Sequence, residues 1–490
     1  MKYVDVILPL PLPGMFTYSV PEGMEGCVVF GKRVLVPLGK SKKYIAMVVK
    51  VHQEKPSFKV KPIEQVLDAT PTLLDRQYRL WSWISNYYMS PLGDVYNAAM
   101  PAGMKSAEKF KPRMELYVEL TSKYRNEASL HVALNMLQRA LKQSKALATF
   151  LSLSHWDSLE NDTPREGIKK VTKEELMNEA HCTSAIVKSL IDRDILFTYE
   201  EEVGRLNTSG ESHFEQIKPL SIAQQEAYNK ILLQMMKKNV VLLHGVTSSG
   251  KTEVYIHLIK QALDNHKQVL YLLPEIALTV QIMERLHKVF GDRLGIYHSK
   301  YSDAERVEIW QKQLGEKSYD VILGVRSSIF LPFRNLGLVI IDEEHENTYK
   351  QQDPAPRYHA RSSAIMLASM FKAKVLLGTA TPGVETYFNA TSGKYGLVEL
   401  KERYKDIQLP HIELVDIKEL AHQKRMQGPF SPVLVKQIKE ALERKEQVIL
   451  FQNRRGFAPM IECHTCGWVP KCKNCDVSLT YHKGLNQLTC

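Results

Sequence analysis

The string Gly-Val-Thr-Ser-Ser-Gly-Lys-Thr at residues 245–252 constrains this chain more tightly than any other feature. Its glycines let consecutive backbone N–H groups turn toward phosphate oxygens. Lys251 can then reach the β and γ phosphates of a nucleotide, and the Thr252 hydroxyl can ligate Mg²⁺. Such a loop needs a strand entering it and a helix leaving it. The flanks supply both, VVLLH before and EVYIHLIKQAL after, so an ordinary glycine turn is the weaker reading. Gly245, Gly250, Lys251 and Thr252 are the candidate ATP–Mg²⁺ residues.

Beyond about residue 215 the pattern repeats that unit. VVLLH, QVLYLLP, LGIYHS, DVILGV, LGLVIID and KVLLGTATP are short Val/Ile/Leu-rich runs, several of them separated by helical segments. Continuous apolar strands joined by helices predict a parallel sheet buried on both faces, an α/β lobe whose ligands bind at the carboxyl ends of its strands. Asp342 ends one such strand in LVIIDEEHE, where its carboxylate suits Mg²⁺, and Glu343 is placed to orient or deprotonate a water. Thr379 and Thr381 end another strand, where hydroxyls can bond to the acidic cluster around His345 and report nucleotide state.

The rest of the chain divides by pattern. Residues 1–110 alternate β-rich runs (VDVILPL, CVVFG, KRVLVPL, YIAMVVKVH) with Pro and Gly and end in a helical stretch around LWSWISNYYM. Residues 111–205 turn helical: Lys173–Ala180 reads as one helix, His181-Cys182 as a turn, Thr183 or Ser184 as the cap of a second helix, and LFTYEEEV as a strand. Helix, turn, helix, strand is the winged-helix plan, with a plain helical spacer as the competing reading. Residues 206–405 form the nucleotide lobe, 406–460 the start of a second lobe opening with strand QVILF, and 461–490 a Cys-rich module.

Cys463-x₂-Cys466, Cys472-x₂-Cys475 and Cys490 have the close pairing that tetrahedral Zn²⁺ takes from thiolates, set against a redox CxxC. A formal charge of +11 favours a polyanionic partner. Hydrophobic residues at 44% and charged residues at 24% exclude wholesale disorder. No apolar run approaches a membrane span and the N-terminus lacks a signal-peptide pattern, so the chain is expected to be cytoplasmic.

DEEH at 342–345, with the phosphate loop and GTATP, resembles the superfamily 2 helicases. LPLPGMFTYSVPEG, GVTSSGKTEVY, LLPEIALTVQ, GVRSSIFLPF, DEEHENTYKQQ, RYHAR, FQNRRGFAP and CHTCGW are similar to the primosomal replication-restart helicases, the PriA family. These strings run in order from residue 10 to 468, so the resemblance covers essentially the whole chain.

The resemblance implies roles at matching positions. Gln224 would recognise adenine. Pro274-Glu275-Ile276 and Gly324-Val325-Arg326-Ser327 would touch single-stranded DNA. The aromatic-rich loop, with Tyr349, Lys350, Arg357, Tyr358 and Arg361, would stack on bases, contact phosphates and couple DNA binding to ATP hydrolysis. Phe16, Thr17 and Tyr18 would line a pocket for the 3′ end of a nascent strand. Thr17 stands where the family commonly has Asp, so a neutral hydroxyl replaces a carboxylate. Ser362 likewise stands at a frequent Asp.

The family's eight zinc cysteines would bind two ions, Cys472, Cys475 and Cys490 belonging to one and Cys463 and Cys466 to the other. Asn453-Arg454-Arg455-Gly456 would open the second motor lobe, and the chain would be the first two-thirds of a longer monomeric protein.

The implied activity is ATP-dependent 3′-to-5′ unwinding at stalled or branched forks, with replication restart through primosome assembly. The implied partners are branched and single-stranded DNA, single-stranded-DNA-binding protein and helicase-loading proteins. Two other readings are a fork-binding platform without catalysis and a different superfamily 2 translocase.

Overall fold

Alternating polar and apolar residues open the chain as strands, and the computed structural model pairs them into an antiparallel sheet. It describes residues 2–105, 114–125, 127–156, 169–202, 216–274, 280–298, 301–403, 411–451, 461–463, 466, 468–472, 478–484 and 486–490. Strands β1 (Lys2–Ile7), β2 (Phe16–Val20), β3 (Arg33–Leu38), β4 (Lys42–His52) and β5 (Gln65–Val66) take the order β2-β1-β4-β3-β5. CVVFG, expected as a strand, is instead a turn that folds Val28 into the core. Gly31 explains this: its φ is +82°, and a Cβ there would lie 2.3 Å from Leu73 O, so the chain must turn where a strand would run straight.

Helices α1 (Asp75–Tyr87) and α2 (Leu92–Ala99) follow. Trp81 and Tyr96 on them are fully buried in a core shared with Trp310, Phe330 and Tyr358. Gln77 Nε2 donates to Phe330 O at 2.7 Å and Trp310 Nε1 to Thr72 O at 3.0 Å. The β-rich module is therefore fastened to the nucleotide lobe by satisfied buried polar groups as well as apolar contact.

Residues 114–202 build a separate core. Strands β6 (Met114–Leu120), β7 (Val171–Thr172) and β8 (Leu196–Glu202) pair in the order β7-β6-β8. Around them pack α3 (Glu127–Met136), α4 (Leu141–Leu153), α5 (Lys173–Glu179) and α6 (Ser184–Asp192). Thr172 caps α5 by accepting from Glu175 N at 3.0 Å, while Thr183 at the start of α6 makes no side-chain cap bond.

The lobe follows α7 (Ile222–Lys237). Its strands are β9 (Val240–Gly245), β10 (Gln268–Leu272), β11 (Leu294–Tyr297), β12 (Val321–Gly324), β13 (Leu336–Asp342), β14 (Lys374–Thr379) and β15 (Gly396–Leu400). They form one parallel sheet, ordered β11-β12-β10-β13-β14-β9-β15. Helices α8 (Lys251–Asp264), α9 (Val280–Phe290), α10 (Asp303–Leu314), α11 (Ala360–Phe371) and α12 (Val384–Thr391) cover its faces. Burial of nearly every strand residue on both sides accounts for the unbroken apolar runs.

Residues 408–490 form a second unit with α13 (Ile417–His422), α14 (Pro432–Glu443) and the hairpin β16 (Thr480–His482) and β17 (Gln487–Thr489). QVILF, expected as a strand, forms none and leaves Ile449 92% exposed. A strand holds its conformation by pairing, and no described segment lies alongside to pair with it. Asn453–Gly456 lie outside the described residues. Among the described residues, no helix is long and apolar enough to cross a membrane.

Candidate nucleotide site and nucleic-acid face

Strand order places the chemistry. β13 and β9 flank β14, with Asp342 paired to Gly378 and Thr379 to His244, so the acidic cluster, the Thr379 turn and the phosphate loop share one edge. Gly250 has φ +79° at the start of α8, and a Cβ there would sit 2.2 Å from Gln224 Nε2. Only glycine fits both the backbone and the space.

Lys251 Nζ donates to Gly245 O at 3.1 Å, curling the ammonium over the loop. Ser249 Oγ is buried without a hydrogen-bond partner. An orphaned hydroxyl, a glycine-walled cradle and a lysine at the start of a 14-residue helix fit a phosphate.

Gln224 does something other than expected. Its Nε2 donates to Ser249 O at 3.0 Å and its Oε1 accepts from Ser221 N at 3.0 Å, with the residue 4% exposed. The two ends of the amide brace the loop and cap α7.

Asp342 is held by neighbours the sequence did not single out. Tyr255 Oη donates to Asp342 Oδ1 at 2.9 Å, Tyr271 Oη lies 3.4 Å from Oδ2, and Glu343 N donates to Oδ1 at 3.1 Å. Burial, then the Glu343 charge, pushes the carboxyl up to about 6, against the lowering effect of the Tyr255 bond. A carboxylate this uncomfortable without a cation suits Mg²⁺.

Glu343 adopts φ +44°, a left-handed conformation that costs free energy for a residue with a side chain. Beyond it, His345 Nδ1 lies 2.8 Å from Thr379 Oγ1 and 3.6 Å from Glu343 Oε2, and Thr381 N donates to Thr379 Oγ1 at 3.0 Å. The structure thus brings His345, Thr379 and Thr381 into one network with Glu343.

The aromatic-rich loop departs from expectation. Tyr349 and Tyr358 are each 1% exposed. Tyr358 packs edge-on against Phe330 with centroids 5.1 Å apart, and Tyr349 Oη sits 2.7 Å from Asp342 O and 3.1 Å from Leu272 O. Both rings are packed in the core of the lobe.

Arg361 lies in the first turn of α11. Its Nη1 bonds to Glu344 Oε2 and Thr386 Oγ1, and Glu344 is wholly buried, so the guanidinium neutralises an interior charge. His359 beside it is pushed down to about 4 by burial and then by the Arg361 and Lys350 charges. Arg357 is exposed and Lys350 half-buried over the Tyr88 ring, 5.1 Å away.

Arg326 donates to Thr348 O and Lys350 O at 3.3 and 3.2 Å, clipping the loop. With Arg306 and Pro274 it lines a cavity of about 200 Å³ at the carboxyl ends of β10 and β12. Two guanidiniums there suit a phosphodiester. Glu275 and Ile276 lie outside the described residues.

In the N-terminal module, Tyr18 is 4% exposed and its hydroxyl donates to Pro37 O at 3.1 Å. Phe16 packs against the same core. Alternation along the strand turns both rings inward and leaves Thr17 facing the other way.

Of the cysteines, Cys463, Cys466, Cys472 and Cys490 are described and Cys475 is not. Among the described residues, no three His, Cys, Asp or Glu side chains gather as a metal site.

Comparison with known proteins now adds to this geometry. Residues 5–101 match the 3′ DNA-binding domain of PriA, 115–203 the winged helix domain of PriA helicase from Bacteroidota, and 221–389 the DEAD/DEAH box helicase. Residues 472–490 match the PriA DNA helicase Cys-rich region. The chain is 33% identical to the replication restart protein PriA of Bacillus subtilis (strain 168), an alignment covering 100% of this chain and 67% of that protein. The chain belongs to the PriA family. The PriA of Haemophilus influenzae is 34% identical, with 100% of this chain and 64% of that protein covered. For the PriA of Chlamydia trachomatis the figures are 32%, 100% and 63%. The chain spans about two-thirds of the length of these PriA relatives.

Proposed function

We propose that this chain carries the fork-recognition modules and first motor lobe of an ATP-dependent 3′-to-5′ DNA helicase that restarts stalled replication. One observation carries the reading. The phosphate loop and the DEEH cluster share one edge of the sheet, in a lobe whose core is continuous with the module matched to a 3′ DNA-binding domain.

In this reading Lys251, Gly250 N–H and Ser249 hold the nucleotide phosphates, and Thr252 and Asp342 hold Mg²⁺. The ion would screen phosphate charge as the terminal phosphoryl group departs. Glu343 orients the attacking water. Its link through Thr379 and His345 to Thr381 reports nucleotide state to the DNA side. Tyr349, bonded at the backbone of Asp342 and Leu272, ties the loop of Lys350 and Arg357 to the same carboxylate. Arg326 and Arg306 take a DNA phosphate.

Single-stranded-DNA-binding protein and helicase-loading proteins are the partners this reading implies. Zinc at Cys463, Cys466, Cys472, Cys475 and Cys490 is supported by their spacing and the Cys-rich match, and metal analysis of the purified protein tests it.

The test of the whole is strand displacement. In the complete protein, ATP is expected to drive unwinding of a duplex with a 3′ single-stranded tail and of a fork. A protein that binds forks but displaces no strand would be a platform instead.

A further inference from the structure

We infer that His244 is a positioning residue of the motor: it ties the phosphate loop to the Thr379–Thr381 turn, so that nucleotide state reaches the turn from two sides. This rests on the reading of the lobe as an ATP-driven motor. Strand β9 (VVLLHG) is apolar until His244, its one polar side chain, which stands immediately before Gly245 of the loop. In the sheet register His244 lies beside Thr379 of β14.

The ring reaches one residue further. Its Nε2 lies 3.2 Å from Ala380 O, and its face meets Tyr387 of α12 edge-on, with centroids 6.0 Å apart and planes at 82°. A carbonyl oxygen can only accept, so Nε2 carries the proton and donates it. His244 Nδ1 is buried without a hydrogen-bond partner among the described residues. The hydrogen bonding of the ring is therefore directed at the turn.

Ala380 sits between two residues held from the other side. Thr379 Oγ1 lies 2.8 Å from His345 Nδ1 and 3.4 Å from Glu343 Oε2, and it accepts from Thr381 N. The acidic cluster thus grips the turn through Thr379, and the phosphate-loop strand grips it through Ala380. Lys251 Nζ donates to Gly245 O at 3.1 Å. A nucleotide that draws this ammonium onto its phosphates removes that bond at the residue joined to His244. The change passes along the ring to Ala380, and α12 begins at Val384, just beyond the turn. This is a contiguous chain of bonded groups, the physical warrant that a coupling claim needs.

The experiment measures base pairs displaced per ATP hydrolysed by the complete protein, on a duplex with a 3′ single-stranded tail. Glutamine places an N–H donor where His244 has Nε2, whereas asparagine places its donor near Nδ1, short of Ala380 O. His244→Asn should lower the ratio by about threefold or more, in the range for one lost hydrogen bond, and His244→Gln should stay within about twofold of wild type. A merely structural loss reduces the amount of active protein and leaves this ratio where it was. An unchanged ratio in His244→Asn, or an equal loss in His244→Gln, would overturn the assignment. Wild type that hydrolyses ATP on DNA but displaces no strand would instead remove the motor reading on which the assignment rests.

Discussion

Tyr255 Oη donates to Asp342 Oδ1 at 2.9 Å, and Tyr255 lies on the same helix as Lys251, four residues on. Residues spaced by four share a helix face, so one face of α8 delivers both the phosphate-loop lysine and the group that fixes the metal-binding carboxylate.

Removing that hydroxyl gives the first prediction. Asp342 titrates at about 6 in the folded protein, and the Tyr255 bond lowers that value. The carboxylate form predominates above this pH and is lost as pH falls through it. Tyr255→Phe should therefore move the acid limb of kcat/KM for ATP upward, by about one pH unit for one lost bond to a charge. The pH–rate profile of wild type and variant checks this. A limb that stays put would mean another group controls it.

Gly378→Ala should mimic that variant. A Cβ at Gly378 would lie 1.8 Å from Tyr255 Oη, so the buried ring must shift and its bond to Asp342 must break. Overpacking of this kind costs about 1–3 kcal/mol. Urea denaturation should report that loss, together with the same upward shift of the acid limb.

Arg361→Ala tests whether this side chain of the aromatic-rich loop serves the core or the DNA. Removing the guanidinium strands the charge of Glu344, which is wholly buried, and should destabilise the chain by about 3 kcal/mol. Affinity for single-stranded DNA at fixed salt should change little among molecules that remain folded. Alanine at Arg357, exposed, with an ion pair to Asp353 at 3.7 Å and a bond to Gln352 O at 2.8 Å, should do the reverse.

Tyr349→Phe separates coupling from stacking. The ring remains in the core, but the hydroxyl bridge to Asp342 O and Leu272 O is gone. Stimulation of ATP hydrolysis by single-stranded DNA should fall while unstimulated hydrolysis and DNA affinity hold. Loss of affinity with intact stimulation would restore the ring to the DNA surface.

Much of the lobe was legible because its signals are local. A run such as LGLVIID states burial on both faces, and Gly-Lys-Thr states a phosphate loop, without any long-range partner. CVVFG and QVILF misled for the opposite reason, since apolar composition reveals burial potential but not whether a neighbour exists to pair with.

The site was legible only in part. Lys251, Asp342, Glu343, His345 and Thr379 announce themselves by motif. Tyr255, Tyr271 and Glu344 act through contacts set by strand order and register, which no spacing along the chain encodes. Tyr349, Tyr358 and Arg361 show the complementary ambiguity. Aromatic and basic residues suit DNA, yet the same side chains fill cores and neutralise buried acids, and only burial tells the two apart.

The measurement closest to the central claim is ATP hydrolysis by the complete protein, with and without single-stranded DNA, in wild type and Lys251→Ala. The account predicts DNA-stimulated turnover that falls by about 100-fold or more when the lysine is removed, as loss of a charge-stabilising donor does elsewhere. Hydrolysis unchanged in Lys251→Ala would contradict it.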